Sequence, residues 1–322
     1  MRFWRNARSL ASCLVLVALL TPAGPRVALA DDPQFVNWAS LLPSLTDAYD
    51  PNSDNDCVAG RPHCIAAVIK EMQRRLAPLG QSCNHNAVFS LAYLRTTQTF
   101  YWAQAQPGFF DDTAWVNHEA AVFAKYYFNA YDGWASGNRS QVPQAWLIAF
   151  DAAGGRQVTG SGNLLLGMNG HVNRDLPFTL AAIGITKPDG TSRKPDHDKV
   201  DEFLNLVVAP LLAEEAARFD QTTNDIATPY GLGYTGLFQM LVAWREAAWR
   251  NAEALTDAPT PEARALVAQQ IENAAAAQAT AIVVANSYAP PLLTSAGRDA
   301  FCAAHNADAP PLSYAFGTAT AY

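Results

Sequence analysis

The chain has 322 residues, half of them hydrophobic and 16% charged, and its 29 acidic side chains outnumber 22 basic ones for a formal net charge of −7. An acidic protein repels nucleic acid and anionic membrane at long range, so nucleic acid is a disfavoured partner. A phosphate-bearing substrate stays compatible with that balance, because a bound cation can invert the field locally.

Residues 1–30 read as an export signal. Arg2, Arg5 and Arg8 form a positive segment, Ala11 to Leu20 an apolar one, and Ala28-Leu29-Ala30 a small-x-small cleavage pattern that leaves Asp31 first. The apolar run is too short to span a bilayer. Leu10-Ala11-Ser12-Cys13 resembles a lipoprotein box, but the main apolar run follows Cys13 instead of preceding it. Removing the signal takes away four arginines and no acid, leaving 18 basic against 29 acidic residues. No later segment is long and apolar enough to cross a membrane. A secreted, extracellular or cell-envelope location is therefore expected, with one helical domain over residues 31–322 and no Gly/Ser linker, charge block or repeat inside it.

Four cysteines remain after processing: Cys57, Cys64, Cys83 and Cys302. An even number in an exported chain reads as two disulfides, and three pairings are possible. If Cys57 and Cys64 close a short loop, Cys83 is left to staple the C-terminal region through Cys302. A zinc cluster of cysteines is the weaker reading, since no CxxC pair exists.

Helical patterns then follow one another. Pro62 opens a helix to about Leu76, with Ile65, Val68, Ile69 and Met72 on one face. Asn84 or Asn86 starts the next, running to Trp102. Asp111-Asp112-Thr113 caps a long aromatic helix that carries Trp115, Tyr126, Tyr127 and Tyr131, with Gly137 as its stop. A shorter helix covers Pro143 to Ala152, and another begins near Ser161 and meets Pro177. Asp196 is the expected cap of a helix through Phe203 and Leu211. Leu237 to Leu255 is amphipathic. Thr260-Pro261-Glu262, a capping residue followed by Pro at the first helical position, opens a helix to about Asn286. Strand signals are scarce, and the Pro-rich tail from Ala309 is expected to be extended. The predicted fold is all-α: a multi-helix bundle with long antiparallel helices and two disulfides.

Two polar segments interrupt these apolar patterns. In Met168–Pro177, His171 and Asp175 are four residues apart and project from one helical face, a spacing that suits two ligands on one metal ion. Pro177 cannot donate its amide to the carbonyl of Asn173, so the helix should loosen there, and Gly170 lets another group approach closely. In Asp196–Asp201, His197 and Asp201 repeat the spacing. Two such pairs facing each other across a bundle would supply four ligands of a kind that suits zinc, iron or manganese. His118, beside Glu119 in the aromatic helix, could add a ligand, with Glu119 taking a proton from metal-bound water. Each has an ordinary structural alternative: a surface ion pair, acids favoured at a helix start, or a hydrogen-bonded core histidine. Asn84-His85-Asn86 reads as structural. Glu246 and Arg250 in the Trp244–Arg250 helix are spaced for a salt bridge.

Taken together, the signal, Asn117-His118-Glu119, the His171–Pro177 block, the His197 segment and the Trp244-Arg245-Glu246 helix resemble an uncharacterised family of secreted actinobacterial helical proteins, the domain of unknown function 5995. The similarity covers most of the mature chain and implies no reaction. A more remote similarity is to zinc-dependent phospholipase C and the fungal single-strand nucleases, helical proteins with a tri-metal site. It rests on two His-x3-acid pairs on successive helices, His171/Asp175 and His197/Asp201. Those enzymes carry a further His about two turns after the first Asp, where this chain reads Thr179-Leu180-Ala181, and a metal-binding Trp at the start, where it has Asp31.

We therefore expect a secreted metal-dependent hydrolase of the phosphoesterase kind, acting on a small or lipid-like substrate. His171, Asp175, His197 and Asp201 would hold a divalent cation such as zinc, with His118 as an extra ligand. The cation would acidify bound water and polarise the scissile oxygen, and Glu119 or Asp198 would accept the proton. The alternative is a non-catalytic secreted or envelope protein, ligand-binding or structural, in which these side chains form a buried network that fixes helix register.

Overall fold

The structure, a computed structural model, describes residues 47–226, 232–292 and 294–319. The export signal and the expected mature N-terminus lie outside them. Among the described residues the chain is helical, with isolated β-bridges and no strand.

Helix α1 (Pro62–Gln81) starts on Pro62, whose missing N–H costs nothing at a first helical position. Helix α2 (Ala87–Gln104) is apolar around most of its circumference and buries residues Ala87 through Arg95 without a break, so it runs through the interior. Helix α3 (Thr113–Ala135) is capped as expected: the Asp112 carboxylate accepts the Trp115 N–H at 3.1 Å. Helix α4 (Gln144–Gly154) is followed by α5 (Gly160–Met168), a π-helical turn (Asn169–Asp175) and α6 (Leu176–Ile183). After α7 (Lys194–Arg218) come α8 (Leu232–Asp257) and α9 (Pro261–Asn286), whose cap Thr260 accepts the Ala263 N–H at 3.1 Å. Helix α10 (Ser295–His305) completes the set.

Both expected disulfides are formed, Cys57–Cys64 at the entry to α1 and Cys83–Cys302 between the end of α1 and α10. No described helix is long and apolar enough to cross a membrane.

Two local expectations are corrected and one takes a specific form. Asp196 does not cap its own helix. It lies in the first turn of α7, and its carboxylate accepts the N–H groups of Asp111 at 2.7 Å and Asp112 at 2.9 Å, at the start of α3. The loosening expected before Pro177 is present: the chain widens into a π turn, which absorbs the hydrogen bond that Pro177 cannot donate, and continues as α6. Helix α10 was missed, because Phe301 is its one large apolar side chain and it buries only Arg298 and Cys302.

The π turn sits at the centre, against α3, α4, α8 and α9. Glycines allow this. A Cβ on Gly167 would lie 2.1 Å from Phe89 Cγ, and one on Gly170 would lie 2.9 Å from the Trp146 ring. The close approach anticipated at Gly170 is therefore that of an indole.

Candidate functional site: a polar corner in an apolar cavity

A cavity of about 150 Å³ lies between α2, α3, α5, the π turn, α7 and α8. Its walls are overwhelmingly apolar; Phe100, Val116, Phe203 and Leu211 are typical. Glu119, His171, Arg245 and Tyr93 break that pattern. All four are buried.

His171 is fixed on three sides. Its Nδ1 is 3.1 Å from Asp175 Oδ2, its ring lies flat on Phe123 with centroids 3.4 Å apart, and the Tyr93 ring meets it edge-on at 4.3 Å. The other neighbours of Asp175 are donors too, Trp146 Nε1 at 2.9 Å and the Arg174 guanidinium at 3.0 Å. Asp175 therefore accepts, and His171 Nδ1 carries the proton. That leaves a lone pair on Nε2, which is buried and has no hydrogen-bond partner among the described residues. Burial lowers the His171 pKa, against the opposing pull of Asp175.

Glu119 stands one turn before Phe123 on α3, on the same face. Its Oε1 lies 4.0 Å from His197 Nδ1, and its Oε2 is buried with no partner among the described residues. Desolvation pushes its carboxyl up to about 7; Arg245 opposes the rise and Asp196 adds to it. Burial likewise raises the Tyr93 phenol well above its ordinary range, so it stays neutral.

Arg245 organises the far wall. Its Nε donates to Asp201 at 2.7 Å and its terminal nitrogen donates to the His197 carbonyl at 2.6 Å. His197 Nε2 is 3.3 Å from the Arg245 carbonyl, and desolvation, reinforced by the Arg245 charge, drives the His197 pKa well down.

The expected ligand residues are therefore divided between different tasks. His171 and Asp175 share a face, as their spacing predicted, but Asp175 accepts from His171, Trp146 and Arg174 instead of standing beside His171 as a second ligand. His197 and Asp201 do not act as a pair toward a shared ion; each is engaged by Arg245. His118 has both ring nitrogens against backbone carbonyls, Cys57 at 2.7 Å and Asp47 at 2.6 Å, which leaves neither nitrogen directed at an ion. Asp198 is exposed, paired with Lys194 at 2.7 Å, and forms no part of the cavity wall. Among the described residues no three His, Cys, Asp or Glu side chains are gathered to hold a metal ion.

Arg245 and Tyr93 were missed. The sequence does hold a signal for Arg245. Leu237, Leu241, Arg245 and Trp249 recur every four residues, so an arginine occupies the apolar stripe of α8. Tyr93 carries no comparable mark, since α2 is apolar around most of its circumference. The Glu246–Arg250 bridge is present at 3.0 Å. His85 is structural, as read: it bridges Asp299 at 2.8 Å and Arg298 at 3.0 Å.

No curated protein and no solved structure matches the chain. A family model does match, over residues 65–285, and it spans every element that lines the cavity. The chain belongs to that family, described as a family of unknown function, DUF5995.

Proposed function

We propose that this protein binds a small, largely apolar molecule in the cavity between α2, α3, α7 and α8. One observation carries the reading. A cavity of about 150 Å³ with apolar walls is lined in part by His171 and Glu119, each of which carries a buried polar atom, Nε2 and Oε2, that has no partner among the described residues. A buried polar group without a partner costs about 1–3 kcal/mol, and a ligand that supplies the partner recovers that cost. The volume matches that of dry apolar cavities able to take a single aromatic ring. In this role Asp175 holds His171 in place, and Trp146 and Arg174 hold Asp175.

The test is calorimetric titration with toluene. The expected result is saturable binding at one site, abolished by Ala92→Phe, which places a ring in the cavity while helical circular dichroism is retained. Absence of binding to the unmodified chain would remove this reading.

A second reading, an exported metal-dependent hydrolase, draws support from the same histidine. A carboxylate on Nδ1 with Nε2 left open is the arrangement that orients metal-bound histidines, and Glu119 would be a second ligand, through oxygen. Metal analysis of protein purified without chelator decides it. A stoichiometric cation lost in His171→Ala favours hydrolysis; no cation favours binding alone.

A further inference from the structure

We infer that the cavity is a narrow slot for an unbranched alkyl chain of about eight to ten carbons, and that it discriminates against a ring of the same carbon count. The inference rests on the binding reading above and specifies its ligand class.

The shape follows from where the helices touch the void. A sphere of 150 Å³ is about 7 Å across, little more than one helical turn of about 5.4 Å. The walls run much further than that. On α2 they extend from Phe89 through Ala92 and Thr96 to Phe100, and on α7 from Val200 through Phe203 and Val207 to Leu212. Lining positions recur every three or four residues, so each set is one stripe along one helix face. At a rise of about 1.5 Å per residue, the stripes are about 16 and 18 Å long.

The two stripes lie side by side. Phe100 meets Phe203 with ring centroids 5.8 Å apart, and Arg95, earlier on α2, donates to Glu214, later on α7, at 2.8 Å. The helices are therefore antiparallel and flank the same void along its length.

A fixed volume drawn out over about three turns is thin. An extended alkyl chain has that form: it advances about 1.25 Å per carbon, from C–C bonds of about 1.5 Å at near-tetrahedral angles. About ten carbons, with the girth of the terminal groups, therefore cover about 16 Å. Neither stripe carries a charged side chain, so the chain is buried against apolar surface throughout. A ring of equal carbon count is shorter and broader. It leaves the ends of the slot empty and presses on the sides, and both are unfavourable. On the α8 side Leu237 and Leu241 are only half-buried, which gives a ligand its way in.

The experiment is titration calorimetry of the unmodified chain with toluene, the straight primary alcohols 1-hexanol, 1-octanol, 1-decanol and 1-dodecanol, and 2-cyclohexylethanol, which has the carbon count of 1-octanol. The expected result is an affinity that rises about fourfold per added methylene as far as about ten carbons and then stops rising. 1-Octanol should bind about tenfold more tightly than 2-cyclohexylethanol. Val200→Phe, which fills the end of the slot beside Phe100, should move the break in the series down to about eight carbons while changing toluene affinity less than about threefold. Toluene binding with no gain beyond 1-hexanol, or with the cyclic alcohol as tight as 1-octanol, overturns the inference and leaves the binding reading standing. A rise that continues unbroken through 1-dodecanol overturns the bounded slot likewise. Binding of none of the probes overturns both. The series is read on the unmodified chain, so a variant that fails to fold leaves the test intact.

Discussion

Replacing Glu119 by Gln should change how stability depends on pH, and the size of the change follows from its environment. The folded carboxyl titrates at about 7, against an ordinary value of 4.5, because burial outweighs the attraction of Arg245. Below about pH 4.5 the carboxyl is protonated in both folded and unfolded chains, so it imposes no penalty. Between the two values the unfolded chain releases the proton while the folded chain keeps it. Stability then falls by about 1.4 kcal/mol per pH unit. Above about 7 the loss is complete and amounts to about 3 kcal/mol. Gln has the same shape and no proton to lose. The variant should therefore match the wild type near pH 4 and exceed it by about 3 kcal/mol at pH 8. Urea unfolding of both proteins from pH 4 to 9 measures this, and the difference between them cancels the other buried acids, Glu215 and Glu272, whose carboxyls are also raised. A difference that is constant across the range would refute the buried, titrating Glu119.

Cys83–Cys302 spans 219 residues and Cys57–Cys64 only 7, so the long staple constrains the unfolded chain far more. Cys302→Ala should cost about 3–5 kcal/mol in denaturant unfolding and Cys64→Ala about 2, and equal losses would count against the chain-entropy reasoning. Arg95 and Glu214 form a two-point pair at 2.9 and 2.8 Å with neither side chain exposed, and Tyr314 donates to the same carboxylate at 2.6 Å. Arg95→Met should destabilise by about 3–5 kcal/mol, with a lower Tm, because the Glu214 charge stays buried with fewer donors. A change under about 1 kcal/mol would show that the remaining partners, Arg218 and Tyr314, suffice.

The sequence by itself determined the class of fold and most helix boundaries. Those features are local: Thr260-Pro261 caps and starts a helix whatever surrounds it, Asp112 caps α3 three residues ahead, and Pro177 had to disturb the helix before it. It also determined the His171–Asp175 pair, because a four-residue spacing brings two side chains together within one helix. The disulfide partners were legible from the count of cysteines and the shortness of one loop. What faces what across the bundle was decided only by the tertiary structure. His197 has the same spacing to Asp201 that His171 has to Asp175, yet Arg245 of α8 takes up both. His118 sits in a helix pattern that suits a ligand, yet the loop carrying Cys57 and the carbonyl of Asp47 close on its ring. Asp196, locally a cap for α7, instead binds the N–H groups of Asp111 and Asp112 at the entry to α3. The cavity itself has no sequence signature, because it is made by six elements whose apolar faces look like any core. Its polar corner depends on a stacking of Phe123 on His171 that joins residues 48 positions apart. Side-chain spacing within a helix fixes neighbours over one or two turns; relations between helices arise from packing, and packing is where the candidate site resides.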